Sequence, residues 1–238
     1  MKPKLSIVIP VVNEATQLLP CLQALQSLRG DCQLLLVDGG SDDGCPELAE
    51  PLVDKILLSP RGRAKQMNCG AAQAQADVLL FLHADTRLPD NASNMILQAI
   101  ADGYQWGRFD VRFDSSQTVF RLIAFMMNLR SRLTGIATGD QALFISRHIF
   151  QTIGGFPDIA LMEDVGISKH LKKLSTPCCL AATVTTSARR WQQHGIIKTI
   201  LLMWRLRISF FFGANPDVLA ARYYRKPEKR ALVHKRYE

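Results

Sequence analysis

Residues 5–14 read Leu5-Ser-Ile-Val-Ile-Pro-Val-Val-Asn-Glu14, an apolar and β-branched run that turns polar at its end. A run without polar alternation is typical of a strand buried on both faces of a sheet. Residues 33–37 and 78–82 repeat the pattern, and helix-like segments at 16–28 and 64–76 separate these strands. Buried strands that alternate with helices predict an α/β fold, with a mostly parallel central sheet and helices on both faces.

The size and composition fit one catalytic domain with a C-terminal extension. The chain has 238 residues, of which 47% are hydrophobic and 21% charged, so it is neither disordered nor fibrous. The residues from Arg189 onward hold 12 Lys and Arg and 3 acids, whereas the first 188 residues hold 17 basic and 18 acidic residues. We therefore predict a catalytic domain at 1–190 and a basic, apolar, helical extension at 191–238. The neutral body argues against nucleic-acid binding.

The less regular second half adds further predicted elements. These are strands at 106–113, 142–145 and 176–185 and helices at 119–133 and 196–212, beside a weaker early strand at 53–58. The six cysteines contain no Cys-x-x-Cys pair, which argues against a zinc site and for a reducing compartment. We expect no signal peptide, because residues 1–5 lead directly into the first predicted strand. We expect a cytoplasmic protein, with peripheral contact to the inner face of the membrane as an option.

Three polar, acidic segments follow predicted strands, at residues 11–14, 38–43 and 83–85. In open α/β sheets, ligands bind beyond the carboxyl ends of the strands. We therefore expect these three segments to line one cleft.

Asp85, in Leu82-His-Ala-Asp-Thr86, is a candidate ligand for Mg²⁺ or Mn²⁺. These cations take oxygen ligands and are usually held by one or two carboxylates together with substrate phosphates. His83 would point the same way in an extended segment and is the second candidate ligand. The alternative is that Asp85 caps a turn and that His83 is only packed.

Two further segments suit a diphosphate ligand with a base. Asp38 opens Asp38-Gly-Gly-Ser-Asp-Asp-Gly44, where a carboxylate can accept a hydrogen bond from a base and glycines allow close approach. The alternative is an ordinary Asp/Gly/Ser turn. Arg61 and Arg63 stand at the start of a predicted helix, whose dipole also favours anions. A solvated basic loop is the alternative there.

Glu163-Asp164 places paired acids between a Gly/Pro turn and a predicted helix. Adjacent side chains at a helix start point apart, so one can act as a general base while the other positions a ligand. Capping of the helix N-terminus by acids is the alternative.

The order of these motifs resembles that of family 2 glycosyltransferases over residues 4–190. The matching segments are Ile7-Val-Ile-Pro-Val-Val-Asn-Glu14, Leu36-Val-Asp-Gly-Gly-Ser-Asp-Asp-Gly44, Asn68-Cys-Gly-Ala-Ala72, Leu80-Phe-Leu-His-Ala-Asp85 and Glu163-Asp164. Residues 61–68 together with Leu-His-Ala-Asp-Thr resemble a bacterial subgroup of small, single-domain members. The resemblance implies a GT-A fold, a nucleotide-diphospho-sugar donor, a divalent metal ion and inversion at the anomeric carbon.

The resemblance also assigns roles to individual residues. Asp164 matches the catalytic base, with Glu163 beside it, and Asp85 matches the last acid of the metal motif. The donor-side set is Pro10, Val12, Asn13, Glu14, Asp38, Gly39, Arg61, Arg63, Ala84 and Asp85, and the acceptor-side set is Asp140 and Gln141. Gly39 and His83 stand where the family has acids, so base recognition and metal ligation are expected to differ. We expect Asp38, Asp85 and Asp164 to surround one cavity.

The segment 196–212 is strongly apolar but contains Lys198, Arg205 and Arg207. Charges near its centre make a membrane span unfavourable. The segment is then either a helix in the membrane interface or a helix packed on the catalytic domain. The sequence identifies neither sugar, nucleotide nor acceptor, and a lipid-linked acceptor is one option. The alternative functions are a nucleotidyltransferase, whose N-terminal Gly-rich loop this chain lacks, and a membrane-surface binding module.

Overall fold

The fold is built on one eight-stranded sheet with helices packed around it. A computed structural model describes residues 2–224. The strands are β1 Leu5–Val11, β2 Cys32–Asp38, β3 Lys55–Leu58, β4 Val78–Phe81, β5 Thr86–Arg87, β6 Trp106–Phe113, β7 Leu143–Ser146 and β8 Cys178–Thr186. The helices are α1 Ala15–Leu25, α2 Cys45–Ala49, α3 Arg63–Ala72, α4 Ala92–Ala101, α5 Thr118–Thr134, α6 Arg147–Thr152, α7 Glu163–Leu171, α8 Arg189–His194, α9 Ile196–Phe211 and α10 Pro216–Tyr224.

The strand order is β3-β2-β1-β4-β7-β6-β8-β5. The first four strands form the parallel part that their apolar runs predict. Every residue of β1 and β2 is buried, as expected for strands covered on both faces. In the second half, β7 runs antiparallel to both β4 and β6, and β8 lies parallel to β6. The sheet is therefore mostly parallel, with its antiparallel pairs in the part of the chain whose pattern is less regular.

Two apolar layers fill the space on either side of the sheet. Ile7 and Ile9 of β1 face the layer that contains α1, whereas Val8 faces the layer that contains α3. Gly70 lets α3 approach the sheet closely, because a Cβ at this position would collide with Val8. This packing brings the first turn of α3, with Arg63, to the carboxyl ends of the parallel strands.

Most predicted elements are present with shifted ends. The predicted helix at 64–76 ends at Ala72, and the predicted strand at 53–58 is limited to Lys55–Leu58. The predicted helix at 119–133 agrees with α5 to within one residue at each end. The short strand β5 was not predicted, because two residues form a strand only through their pairing with β8.

The C-terminal helices pack on the rest of the molecule. Leu206 of α9 and Leu219 of α10 are buried in one cluster with Leu161 and Met162, which directly precede α7. Within residues 2–224, every helix is too short or too polar to cross a bilayer. The division of the chain at residue 190 stays a prediction, and the part of the extension at 225–238 lies outside the described residues.

Candidate active site at the strand ends

The loops after β1 and β2 are joined by hydrogen bonds. Asn13 adopts a positive φ of 55°, and its N–H donates to Oγ of Ser41 over 3.0 Å. The side-chain Oδ1 of Asn13 accepts the N–H of Asp42 at 2.9 Å. Asp43 accepts the N–H of Ala15 at 2.8 Å. These bonds hold the first two strand-end segments side by side, as the parallel arrangement predicts.

Asp38 uses its carboxylate within its own turn. The residue is only 2% exposed, and its oxygens accept the hydroxyl of Ser41 at 2.5 Å and the N–H of Gly40 at 3.0 Å. It lines neither of the two cavities described below. Neither of these two cavities is lined by Asp38, Asp85 and Asp164 together, and the Asp38 side chain turns into its own loop and holds the shape of that loop.

Steric contacts explain why position 39 is a glycine. A Cβ there would lie 2.7 Å from Cγ2 of Val12 and 3.0 Å from Cδ of Gln66. Gln66, in α3, donates from Nε2 to the carbonyl oxygens of Val11 and Val37, both at 2.8 Å. It ties the ends of β1 and β2 together and fills the space that an acid at position 39 needs. Gln66 was not predicted as a functional residue, because the only sequence feature that marks it is its polar side chain on the buried face of a predicted helix.

His83 and Asp85 face different cavities. The N–H of Thr86 donates to the carbonyl oxygen of His83 at 3.0 Å, so this segment is a turn and not an extended strand end. Asp85 lines an open cleft next to α1. His83 lines a separate, narrow pocket together with Asp164. The shared direction predicted for His83 and Asp85 is therefore wrong.

The His83 ring packs on a turn that belongs to the pocket. A Cβ on Gly139 would lie 2.6 Å from both Cε1 and Nε2 of this ring, so only glycine leaves room for it. Burial and the nearby guanidinium of Arg63 lower the pKa of His83 to about 3. The imidazole is therefore neutral at physiological pH.

Arg63, the first residue of α3, lies among the charged groups of several elements. Burial lowers the pKa of its guanidinium, but Tyr223, Glu163, Tyr224 and Glu14 more than reverse this effect and raise the pKa above its usual value. Arg63 therefore lies within electrostatic reach of the loop after β1, the start of α7 and the last helix. The two tyrosines of α10 were not predicted to lie near the site, because the extension at 191–238 was predicted to be separate from the catalytic domain.

Glu14 and Asp85 form a pair of carboxylates on the donor side. Burial raises the pKa of Glu14, and the Asp85 carboxylate raises it further, whereas Arg63 lowers it. Two neighbouring carboxylates suit Mg²⁺ or Mn²⁺, which complete their coordination with substrate phosphates and water. Among residues 2–224, no three His, Cys, Asp or Glu side chains form a metal cage by themselves. The residues present fit a cation that arrives with a diphosphate ligand.

Glu163 and Asp164 begin α7 but lie in different surroundings. Asp164 is half-buried, and its carboxylate accepts the N–H of Val165 at 2.7 Å and the N–H of Gly139 at 3.0 Å. Glu163 is 6% exposed, so burial, followed by the charge of Asp164, raises its pKa to about 7, while Arg63 lowers it. Asp164 thus caps the helix in part, through Val165, and also reaches across to a separate turn.

The two predicted acceptor-side residues, Asp140 and Gln141, also lie in different surroundings. Gln141 is completely buried, where its Oε1 accepts the N–H of Thr138 at 3.1 Å and its Nε2 donates to Asn128 at 3.4 Å. Its polar atoms are used inside the protein, so Gln141 shapes the turn and does not face an acceptor. Burial raises the pKa of Asp140, and its Oδ1 is buried without a hydrogen-bond partner within the described chain. One carboxylate oxygen of Asp140 is therefore left unsatisfied inside the protein.

Two polar side chains that the sequence analysis missed brace this region. Asn68 of α3 exchanges two hydrogen bonds of 2.9 Å with the backbone of Phe156. Ser168 of α7 is completely buried and accepts the N–H of Ala137 at 3.1 Å. These contacts hold the segments before Glu163 and before the 139–141 turn against the helices.

Comparison with known proteins identifies the family. Residues 6–155 match the family model described as glycosyl transferase family 2. The chain belongs to this family. It is 36% identical over 260 residues to a PGL/p-HBAD biosynthesis glycosyltransferase of Mycobacterium tuberculosis. This alignment covers 97% of this chain and 94% of that protein. It is 30% identical over 168 residues to an undecaprenyl-phosphate 4-deoxy-4-formamido-L-arabinose transferase of Yersinia pestis. That alignment covers 63% of this chain and 51% of the Yersinia protein.

A solved structure supports the same fold. A mannosyltransferase from Pyrobaculum calidifontis, solved with GDP-Man and Mn²⁺, superposes with a TM-score of 0.63 at 17% identity, covering 88% of this chain and 61% of that one. The GT-A fold predicted from the motifs is confirmed. This family 2 protein is therefore a glycosyltransferase. Its place in the small, single-domain subgroup stays a prediction.

Proposed function

We propose that this glycosyltransferase moves a sugar from a nucleotide-diphospho-sugar to a hydroxyl acceptor, with inversion at the anomeric carbon and with Mg²⁺ or Mn²⁺ as cofactor. The observation that carries the proposal is the position of Arg63. Its guanidinium lies within electrostatic reach of Glu14 on the donor side and of Glu163, next to Asp164. The Pyrobaculum mannosyltransferase, which was solved with a nucleotide sugar and Mn²⁺, supports the same donor class.

On the donor side, the nucleotide lies against the joined loops after β1 and β2. Val12 and Asn13 offer side chains there, while Asp38 holds the loop in place from inside. Arg63, together with the exposed Arg61 two residues earlier, binds the diphosphate at the start of α3. Guanidinium groups and the N-terminus of a helix both favour that anion.

Asp85 would hold the divalent cation, with Glu14 as the second carboxylate. When bound, the cation supplies positive charge next to the diphosphate, which favours its departure. We leave His83 out of the ligand set, because its ring faces the pocket on the other side of the turn.

Asp164 acts as the general base. Two backbone N–H groups orient its carboxylate at the wall of the pocket. As the acceptor oxygen forms its bond to C1 of the sugar, its proton moves to Asp164, and the bond between C1 and the β-phosphate oxygen breaks on the opposite side. The configuration at C1 is thereby inverted, and Arg63 stabilises the negative charge that develops on the leaving diphosphate.

The acceptor is proposed to be lipid-linked. The name of the Yersinia relative contains a lipid phosphate, undecaprenyl phosphate, which supports a lipid-linked acceptor here, whose hydroxyl would then be the attacking group. Asp140 is the proposed acceptor contact, since its buried Oδ1 lacks a partner within residues 2–224. We propose a cytoplasmic enzyme at the inner face of the membrane, and the free state of all six cysteines agrees with a reducing compartment.

A thermal-shift screen tests the donor side. UDP-, GDP-, dTDP- and ADP-sugars are added with and without Mn²⁺, because a ligand that binds only the folded state raises the melting temperature. We expect one nucleotide class to raise it, and to do so more strongly with Mn²⁺. The variant Arg63→Met should lose this shift, whereas Lys65→Met, an exposed cation on the same helix, should keep it. A screen in which no nucleotide sugar shifts the wild-type melting temperature contradicts the proposal.

A further inference from the structure

Most of the exposed large apolar side chains of residues 2–224 lie on two helices. On α5 they are Val119, Leu122, Phe125, Met126, Leu129 and Leu133, and on or directly after α9 they are Ile197, Leu201, Trp204, Ile208, Phe211 and Phe212. Monomeric proteins rarely leave so many neighbouring apolar side chains in water, and such patches mark interaction surfaces. Together these side chains are called the α5–α9 face.

The two helices lie near each other at two places. Ile123 of α5 belongs to one apolar cluster with Ile196 and Ile200 of α9. Further along both helices, Arg130 of α5 is within electrostatic reach of Arg207 of α9. We therefore infer that the exposed stripes of the two helices lie next to each other.

Basic residues border the face on both outer edges. A helix turns by about 100° per residue, which on α9 places the exposed apolar stripe between the side that touches α5 and the exposed cations Lys198 and Arg205. On α5 the same geometry places the stripe between the side that touches α9 and the exposed Arg121. The face is therefore apolar in the middle and positive at its rims.

The helices that form the face carry no acidic residues. Neither α5 nor α9 contains an Asp or a Glu, and the same holds for α8, which directly precedes α9. We propose that the α5–α9 face docks on an anionic lipid bilayer, with its apolar stripes in the interface and its basic rims over the headgroups. Interfacial binding of this kind depends on buried apolar area together with attraction to anionic lipid. A second copy of the chain is a poorer partner, because pairing this face with itself sets positive rims against each other.

The docking surface borders the acceptor side of the site. Arg130 of α5 and Arg207 of α9 both lie within electrostatic reach of Asp140. A bilayer on the face would therefore present a lipid-linked acceptor beside the acceptor pocket. The proposed function enters the inference only at this point, since docking itself does not depend on catalysis.

Vesicle flotation with the full chain at low salt tests the surface on each helix separately. Wild type is expected to bind phosphatidylglycerol-containing vesicles at least tenfold more tightly than pure phosphatidylcholine vesicles. The double variants Leu122→Glu with Phe125→Glu on α5, and Leu201→Glu with Ile208→Glu on α9, should each weaken binding at least tenfold. The matched control, Leu58→Glu with Leu174→Glu, changes two exposed leucines elsewhere and should bind within twofold of wild type.

Trp204 supplies a readout that needs no destabilising substitution. It is 62% exposed, whereas Trp106 is completely buried and Trp191 is half-buried, so a blue shift of emission on adding anionic vesicles reports burial of Trp204 when it depends on the indole at position 204. The shift should disappear in Trp204→Phe. Three results overturn the proposal: wild type that does not float at low salt, an α5 variant that binds like wild type, or a dimer that the face variants convert to monomer. Thermal shifts with donor, measured on the same variants, separate the two proposals. The variants of the α5–α9 face should keep the shift that the donor causes. If the donor causes no shift in wild type, that result counts only against the proposed function.

Discussion

The backbone N–H of Gly139 lies 3.0 Å from Oδ2 of Asp164, so a turn 25 residues earlier in the chain orients the carboxylate at the start of α7. A second N–H, from Val165, holds the other oxygen. Two donors restrict the orientation of this carboxylate, and Asp164 lines the same pocket as His83 and Glu163. This contact joins the predicted base to the predicted acceptor-side turn.

Asp164→Asn should remove transfer activity and leave donor binding nearly intact. The amide cannot take a proton from the acceptor, and general-base catalysis typically contributes about 10²–10⁴-fold to the rate. We expect a loss of activity of that size, measured as transfer rate at saturating donor, with a donor dissociation constant within a few-fold of wild type by calorimetry. Loss of donor affinity in parallel with activity contradicts the assignment.

Glu163→Gln should change how stability depends on pH. The folded state raises the pKa of Glu163 from 4.5 to about 7, so the folded protein binds more protons than the unfolded chain between these values. The stabilisation is fully present below about pH 4.5 and is lost as the pH rises through 7, amounting to roughly 3 kcal/mol for this shift. Glutamine does not ionise and avoids this loss.

Urea unfolding of wild type and Glu163→Gln at pH 5 and pH 8 measures the difference. Every other titrating group is common to both proteins, so their difference isolates Glu163. Wild type should lose more stability than the variant over this interval. Equal losses in both proteins show that Glu163 does not carry the raised pKa.

Gly39→Ala should destabilise the loop after β2, whereas Gly30→Ala should not. The new Cβ at 39 meets Val12 and Gln66 at 3.0 Å or less, but at Gly30 it meets nothing within 4 Å. Overpacking of this kind costs about 1–3 kcal/mol. Urea unfolding compares the two variants, and the thermal-shift screen shows whether Gly39→Ala also weakens donor binding. If both alanines are equally tolerated, the steric explanation for the missing acid is wrong.

Gly139→Ala should be harmful only while His83 is present. The Cβ would lie 2.6 Å from the imidazole, which forces the ring or the turn to move. We expect a loss of about 1–3 kcal/mol in the wild-type background and a clearly smaller one in His83→Ala. A double-mutant cycle by urea unfolding gives the coupling energy. A coupling energy near zero means that the ring does not pack on this turn.

The positions of the functional segments were largely predictable, but the directions of their side chains were not. Residues 11–14 and Asp38 lie at the ends of the buried strands β1 and β2, and Asp85 follows β4, because apolar runs and Gly/Asp turns are local patterns. Asp38, however, bonds within its own loop, because the turn geometry brings the backbone of Gly40 and the hydroxyl of Ser41 to it.

Polar residues on buried helix faces were the main omission. Gln66 and Asn68 look like ordinary members of an alanine-rich helix, and their partners are backbone groups of distant segments. Gln141 was assigned to an acceptor, although Thr138 and Asn128 take up its amide inside the protein. Hydrogen bonds between segments far apart in the chain leave no periodic signal.

The sequence by itself determined the α/β class, the parallel strands and the motif order of a glycosyltransferase, since each depends on residues that are neighbours in the chain. Only the tertiary structure decided that His83 and Asp85 face different cavities, that Arg63 lies within electrostatic reach of both Glu14 and Glu163, and that α5 and α9 expose large apolar side chains. These facts depend on turn dihedral angles and on the packing of remote helices, which no local pattern of residues encodes.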